Sequence, residues 1–304
     1  YDVGTDYLYT YVKYFEHFQK GWRPYSHEPL FQLLNICLVS LNLSYVWLFA
    51  ISGFIIIACM FYYIFKYSPM PIYSVVIFFC SSIFFNSLNN VRQYIAIAIA
   101  IIGLSQKNVI KTIVFIGIAA MFHMTAIIYI AVYILIRFLK NKRITQSNML
   151  TFSIICMIAT PIFIILLKKL LAITPYSYFL NSLDGGFSIL IILVNFIVFI
   201  FTLFYYDNKD KEYQKLALFQ LITVICCISS MLLRNEELWM RIMRMFSVFQ
   251  IILIPKIVLR EKNKISRIFL IFVFVLIFSV YTFYTVYLHG GLEVFPYHFV
   301  FGKV

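Results

Sequence analysis

Residues 269–278 read FLIFVFVLIF, and this stretch decides the fold class of the chain. A transmembrane strand alternates apolar and polar residues over ~10 positions, whereas this run has no such alternation. Backbone groups in lipid must be paired within the protein, so spanning chains form helix bundles or closed barrels. The sequence therefore predicts an all-α, polytopic integral membrane helix bundle.

Similar apolar runs repeat along most of the chain. Of its 304 residues, 63% are hydrophobic and only 12% are charged, whereas a soluble domain carries about 25% charged residues. A short segment over 29–43 is predicted to be a re-entrant or interfacial helix, because it is brief for a span of ~17–25 residues. Ten spans are predicted, at 44–66, 71–88, 91–106, 106–122, 124–140, 149–170, 187–206, 213–232, 240–258 and 265–288.

The basic residues lie in short clusters between these runs. A net charge of +13 would point to nucleic acid in a soluble protein, but clusters between spans are typical of topology signals. We therefore expect no nucleic-acid partner, and we expect the basic connections to face the cytoplasm. No Pro or Gly marks a turn near His123. Two short spans turning at His123 are preferred over one span at 112–136, which would place the Arg137–Arg143 cluster outside.

One transmembrane domain is predicted over 1–304. It comprises an outer-face segment at 1–28, the short helix at 29–43, spanning helices over 44–288 and an outer-face tail at 289–304. The polar start, Tyr1–Gly4, has no signal-peptide core, and we expect that a first helix precedes it in the natural chain. The six cysteines all lie in apolar stretches without paired spacing, so neither a disulfide nor a zinc site is predicted.

Polar residues gather at the predicted outer ends of the helices. Charges in membrane segments are costly and mark functional sites by default. Arg92 follows two asparagines, and Arg241 and Arg244 share one helix face through their spacing of three. Planar guanidinium groups suit a phosphate. For Arg241 and Arg244, a role as interfacial anchors or as partners of Glu236 and Glu237 is a nearly equal alternative.

His123 stands at the expected turn between two short spans. Histidine is a common general base in enzymes, so His123 is a candidate proton acceptor, although a lone histidine is more often a packing residue. Asp6 taken alone reads as a solvated loop charge.

Short motifs follow one another in a distinctive order. Together they resemble the Wzy-type polysaccharide polymerases, especially the EpsG-like branch, with Thr125 standing where that family often has serine. The motifs are Val3-Gly4-Thr5-Asp6-Tyr7 with Tyr9, Glu28-Pro29-Leu30-Phe31, Lys66-Tyr67-Ser68, Asn90-Val91-Arg92-Gln93 with Ala96, Phe122-His123 with Thr125-Ala126, and Phe295-Pro296-Tyr297.

This resemblance implies a GT-C-like architecture and a metal-independent glycosyltransferase without a cofactor. Such an enzyme moves a growing glycan from undecaprenyl diphosphate to a lipid-linked repeat unit. The sequence contains neither a soluble nucleotide-sugar domain nor a D-x-D motif, so a lipid-linked donor is expected. Donor and acceptor are thus both undecaprenyl-diphosphate-linked oligosaccharides. The reaction is expected to invert the anomeric carbon, at the outer face of the bacterial cytoplasmic membrane. The product is a capsule, exopolysaccharide or O-antigen, and a chain-length regulator and a flippase are the implied protein partners.

The chemistry of the candidate residues is compatible with this reaction and suggests a role for each. Arg92, Arg241 and Arg244, with Arg234 behind them, are the expected diphosphate ligands. The base that activates the sugar hydroxyl is expected to be His123 or Glu28, with Asp6 third. Candidate contacts to the glycan are Asn90, Gln93 and Tyr9.

Three other functions compete with polymerisation. A ligase that transfers finished glycan to another acceptor is hardly separable by sequence. A flippase or other transporter ranks lower, because transporters place charges at the bilayer midplane and often contain repeats, neither of which is evident here. An acyltransferase with His123 as its base ranks third.

Overall fold

The computed structural model describes residues 6–23, 27–139, 142, 144–172, 189–233 and 236–288. Over these ranges the regular structure is helical and contains no strand, so the all-α prediction is confirmed. The predicted outer-face tail at 289–304 lies outside the described residues, as does the start of the segment at 1–28.

The contacts divide the chain into two compact units, and the prediction of a single domain stays a prediction. Unit 1 comprises residues 1–137 and 278–304, and unit 2 comprises residues 138–277. The helices that begin in unit 1 are α1 (Lys13–Gln19), α2 (Pro29–Ser40), α3 (Tyr45–Tyr67), α4 (Pro71–Cys80), α5 (Ile83–Asn89), α6 (Val91–Leu104), α7 (Val109–Phe122) and α8 (Ile128–Leu139). Those that begin in unit 2 are α9 (Gln146–Ala172), α10 (Ile189–Phe204), α11 (Lys211–Leu233), α12 (Glu236–Ser247), α13 (Gln250–Arg260) and α14 (Lys264–Thr282).

Several of these helices are long and apolar enough to cross a membrane. Within the described ranges four qualify singly: Tyr45–Tyr67, Gln146–Leu166, Lys211–Leu232 and Lys264–Leu288. Two bent pairs raise the number to six, namely α4 with α5, bent by 54°, and Trp239–Ser247 with α13, bent by 48°. Five shorter apolar helices add to them: Pro29–Ser40, Val91–Leu104, Val109–Phe122, Met124–Leu139 and Ile189–Phe204.

Local chemistry explains where these helices begin and break. Pro29 and Pro71 open α2 and α4, a position where the missing amide hydrogen costs nothing. The Asn108 side chain accepts the Lys111 amide at 3.1 Å and caps α7. Between α4 and α5, Ser82 adopts a left-handed conformation with φ of 60°, and the Thr282 hydroxyl donates to the Cys80 carbonyl at 2.6 Å.

The central helix of unit 1 is α6. Nearly all of its residues are buried, and it packs against both α3 and α7. A helix that is apolar on all sides belongs in the interior of a bundle. At Gly103 a Cβ would lie 2.6 Å from Cβ of Phe115 on α7, so this glycine permits the close approach of α6 and α7.

The helical run is interrupted at His123. Helix α7 ends at Phe122, and His123 is extended, with φ of −156° and ψ of 118°. A 3₁₀ turn over Met124–Ile127 then leads into α8. The helix therefore breaks at the residue where the sequence analysis expected a turn.

Unit 2 is organised around α11, which contacts α9, α10, α12 and α13. A buried amide cluster joins three of its helices: the Gln250 amide donates to Asn195 Oδ1 at 2.8 Å and to Gln220 Oε1 at 2.9 Å. Buried polar groups need such partners, and the cluster fixes the start of α13 next to the bend that precedes it.

Candidate functional site

The α6–α7 hairpin brings two predicted site residues to one end of unit 1. Arg92 lies in the first turn of α6, and His123 follows the last residue of α7. A short connection, Ser105–Asn108, joins the other ends of these two packed helices. The two predicted site residues are therefore neighbours although they are far apart in sequence.

Helix α2 adds a carboxylate to this pair. It packs on α7, and Glu28 stands immediately before its first residue, Pro29. Glu28 Oε1 lies 2.6 Å from His123 Nδ1, and Glu28 Oε2 lies 2.5 Å from Arg92 Nη1. One carboxylate thus bridges an imidazole and a guanidinium, and we call these three residues the Glu28 cluster.

The Glu28 cluster is largely shielded from the surroundings. The exposed fractions of the side chains are 9% for Glu28, 11% for His123 and 23% for Arg92. Charged groups are rarely this buried unless they are paired. The Arg92 side chain is the most accessible of the three.

Electrostatics keeps Glu28 ionised. Burial disfavours its charged form, but the hydrogen bond to His123 and the positive charge of Arg92 outweigh burial and lower the pKa of this carboxyl below its ordinary value. A lowered pKa means that the ionised pair stabilises the folded state above the ordinary carboxyl range. This contribution is lost in acid, as the pH falls through the lowered pKa.

Aromatic rings position the guanidinium. The Arg92 guanidinium carbon lies 5.9 Å from the ring centre of Tyr11 and 5.8 Å from that of Phe31, a separation at which cation–π attraction operates. The Arg92 amide also donates to the Tyr11 hydroxyl at 3.4 Å. Sequence reasoning missed Tyr11, one of 23 tyrosines. For Phe31 the only indication in the sequence was its place as the last residue of the Glu28-Pro29-Leu30-Phe31 motif.

Asp6 joins the neighbourhood of the cluster through its backbone. Its amide donates to the Asn89 side chain at 2.9 Å, and its carboxylate accepts the Thr10 hydroxyl at 3.3 Å. Asn89 is itself buried, one residue before the Asn90 cap of α6. The contact ties the N-terminal segment to α5, and catalysis by Asp6 stays a prediction.

The remaining predicted residues occupy varied surroundings. Asn90 is half-buried at the start of α6, Gln93 is buried, and Tyr9 is 66% exposed. Arg241 and Arg244 are half-buried on α12 of unit 2. Arg234 lies outside the described residues.

No metal-binding arrangement is present among the described residues, since no three His, Cys, Asp or Glu side chains converge as ligands there. The chemistry open to the Glu28 cluster is acid–base transfer through the imidazole and anion binding through the guanidinium. This combination suits group transfer from a phosphorylated donor.

The long apolar helices indicate that the chain is a helical integral membrane protein. The EpsG family model matches residues 1–299, and the chain belongs to that family. The family expected from the order of the motifs is thereby confirmed, and membership indicates a polysaccharide polymerase-type role. No curated protein and no solved structure matches the chain significantly.

Proposed function

We propose that this protein polymerises lipid-linked oligosaccharide repeat units at the outer face of the bacterial cytoplasmic membrane. It would transfer a growing glycan from undecaprenyl diphosphate to the sugar of a second lipid-linked unit. The observation that carries this proposal is the Glu28 cluster, which joins a candidate base and a candidate phosphate ligand in one shielded site. Family membership supplies the class of substrate.

In this proposal His123 is the base. Glu28 Oε1 accepts a hydrogen bond from Nδ1–H of the imidazole, which leaves Nε2 with its lone pair for the acceptor hydroxyl. Glu28 also balances the imidazolium that forms, as the carboxylate does in a catalytic triad. Both oxygens of Glu28 already have partners, so it acts here as a positioning residue.

Arg92 stabilises the leaving group in this scheme. The acceptor oxygen forms a bond to the anomeric carbon of the donor, the bond from that carbon to the diphosphate oxygen breaks, and His123 takes the hydroxyl proton. The electron pair of the broken bond remains on undecaprenyl diphosphate, beside the guanidinium. One displacement of this kind inverts the anomeric configuration. This scheme uses Arg92 alone as the diphosphate ligand. The other predicted diphosphate ligands stay predictions: Arg241, Arg244 and Arg234.

We further propose ten crossings and a GT-C-like arrangement, with the Glu28 cluster on the outer side. Charge distribution in unit 1 supports this sidedness. Lys107 and Lys111 stand at the end of the α6–α7 hairpin opposite to Arg92 and His123. Basic connections mark the cytoplasmic side, so the opposite end faces outward.

The test is a polymerisation assay with the purified full chain in lipid nanodiscs. The cognate repeat unit on undecaprenyl diphosphate is supplied without nucleotide sugar, and lipid-linked products are resolved by length. We expect a ladder for the wild type and a rate lowered by about 10²-fold in Arg92→Lys, since lysine keeps the charge but lacks the planar fork. Arg137→Lys, at an exposed position on α8, is the matched control and should retain the wild-type rate.

Each other outcome contradicts part of this proposal. Transfer of a single unit without a ladder would favour a ligase. Substrate movement across the bilayer without any transfer would favour a flippase. Equal rates in Arg92→Lys and Arg137→Lys would exclude Arg92 as the diphosphate ligand.

A further inference from the structure

A polar pocket lies where the end of α1 meets the connection between α2 and α3. Its volume is about 460 Å³. The residues that line it carry no charge, and they are Gln19, Val39, Asn42, Leu43 and Ser44. We call it the Asn42 pocket. Its lining favours an uncharged ligand, in contrast to the charged Glu28 cluster.

The polar side chains of the Asn42 pocket have unused hydrogen-bonding capacity. Gln19, Asn42 and Ser44 are exposed, and their side chains make no hydrogen bond to the described residues. A primary amide both donates and accepts hydrogen bonds, and so does a hydroxyl. Sugar hydroxyls have the same two capacities, so these three groups can pair with the hydroxyls of a glycan.

An aromatic ring stands at the same end of α1. Gly21 has φ of 83°, and the Trp22 amide donates to the His17 carbonyl at 2.9 Å, which is the Schellman ending of a helix. The centres of the Trp22 and His17 rings are 4.7 Å apart, yet Trp22 is 63% exposed. An indole that the backbone holds in place can stack on the apolar face of a sugar ring at little entropic cost.

Asn42 allows its backbone role to be separated from its side chain. Its φ is 54°, and it ends α2 in the same Schellman manner, with the Leu43 amide donating to the Leu38 carbonyl at 3.0 Å. Glycine is the residue that most favours this left-handed position. Asn42→Gly therefore removes the amide from the pocket and retains the helix ending.

Helix α2 sets the distance between the Asn42 pocket and the Glu28 cluster. Glu28 precedes its first residue, and Asn42 lies two positions beyond its last residue, Ser40. Its 12 residues correspond to about 18 Å at 1.5 Å per residue. Several sugars of an extended glycan cover that distance. A donor whose diphosphate lies at Arg92 can therefore reach the pocket with the distant sugars of its chain.

We propose that the Asn42 pocket and Trp22 form a distal glycan subsite, which binds uncharged sugars of the growing chain while the reducing end of that chain lies at the Glu28 cluster. This inference deepens the proposed function and rests on it for the identity of the glycan. Only a long donor contacts both ends of α2 at once, so the subsite favours long donors over short ones. Existing chains are then extended in preference to the start of new ones.

The first measurement is equilibrium binding of a glycan that carries neither lipid nor diphosphate. The probe is an oligosaccharide of three cognate repeat units, released by mild acid, and the purified full chain is held in amphipol, which contains no sugar. We expect the affinity to fall about tenfold in Trp22→Ala and in Asn42→Gly, a loss equivalent to about 1.4 kcal/mol for each. Trp22→Phe retains an aromatic ring and should lose less.

The matched control removes an equally exposed aromatic ring elsewhere. Phe65 is 62% exposed near the other end of α3, and Phe65→Ala should bind the oligosaccharide as the wild type does.

The second measurement compares the ladders of the polymerisation assay at equal consumption of repeat units. The wild type should place most units in a few long chains. Trp22→Ala and Asn42→Gly should distribute them over more numerous and shorter chains, because long donors lose their advantage. Phe65→Ala should give the wild-type distribution.

Unchanged affinity for the oligosaccharide in Trp22→Ala and Asn42→Gly, with wild-type unfolding temperatures, would overturn the subsite and leave Trp22 as an interfacial anchor. If Trp22→Ala does not fold, Trp22→Phe and Asn42→Gly decide the same question. Weaker binding with an unchanged ladder would overturn the role of the subsite in chain extension. Absence of a wild-type ladder would instead contradict the proposed function, and the binding measurement would still decide whether the pocket binds sugar.

Discussion

The partners of the two Glu28 carboxylate oxygens distinguish the roles of the residues in the Glu28 cluster. From the sequence, His123, Glu28 and Asp6 all remained candidate bases. In the structure each oxygen of Glu28 has its own partner, His123 at Oε1 and Arg92 at Oε2, and the Asp6 carboxylate accepts from Thr10. We therefore favour His123, whose Nε2 is the atom of the Glu28–His123 pair that a substrate hydroxyl would meet.

This assignment makes a prediction for His123→Ala. Removal of a general base lowers rates by about 10²–10⁴-fold, and we expect a loss in that range for ladder formation. Added imidazole should restore part of the rate, because it can occupy the space of the lost ring and accept the proton. The measurement is the initial rate of chain extension with and without imidazole.

The matched control is His27→Ala, because His27 precedes Glu28 and is exposed. It should extend chains at the wild-type rate, and imidazole should have no effect on it. Full activity in His123→Ala would return the role of base to Glu28 or Asp6. A loss without rescue would indicate that His123 acts by packing.

At the scale of elements, the length of the α6–α7 hairpin determines how deep the cluster lies. Each helix contains 14 residues, which corresponds to about 21 Å at 1.5 Å per residue. The hydrocarbon core is about 30 Å thick. In the proposed topology Lys107 stands at the inner boundary. The ends that carry Arg92 and His123 would then lie below the outer membrane surface, where a low dielectric strengthens electrostatic interactions.

The hairpin also supplies a prediction about packing. Gly103→Ala places a methyl group 2.6 Å from Cβ of Phe115, and because both atoms are close to the backbone the helices must move apart. Overpacking of this kind costs about 1–3 kcal/mol. We expect a lower unfolding temperature in detergent, together with a lower polymerisation rate, because separation of α6 and α7 displaces Arg92 relative to His123.

Gly117→Ala is the control within the same hairpin. A Cβ at Gly117 meets nothing within 4 Å, so this variant should unfold at or slightly above the wild-type temperature and keep its activity. Equal behaviour of the two alanine variants would contradict the close approach at Gly103.

The limits of sequence reasoning are visible in these same elements. Apolar runs and helix-starting prolines such as Pro71 locate most helices, because helix formation depends on local chemistry. The contact of Glu28 with Arg92 joins residues 64 apart and that with His123 joins residues 95 apart. Such pairs depend on how α2, α6 and α7 pack, which no local pattern specifies, and Tyr11 is recognisable only after that packing is known.

At the scale of the whole molecule, the distribution of basic residues predicts which connections face the cytoplasm. The chain has a net charge of +13, and in unit 1 the exposed residues Lys107 and Arg137 lie on either side of the break at His123. Two short crossings by α7 and α8 return the chain to its starting side, so both residues would face the cytoplasm. A single crossing over 112–136 would place them on opposite sides.

Labelling of single cysteines distinguishes these topologies. In a cysteine-free background that still makes polymer, Lys107→Cys and Arg137→Cys should both be protected in intact cells from a membrane-impermeant maleimide, and both should react after permeabilisation. Asn42→Cys, in the exposed connection between α2 and α3, should react in intact cells, because α3 separates it from the basic side. Reaction of Arg137→Cys alone among the two basic positions would mean that α7 and α8 form one crossing. The His123 end of α7 would then lie within the bilayer away from the outer face, and the proposed access of lipid-linked sugars to the Glu28 cluster from that face would be wrong.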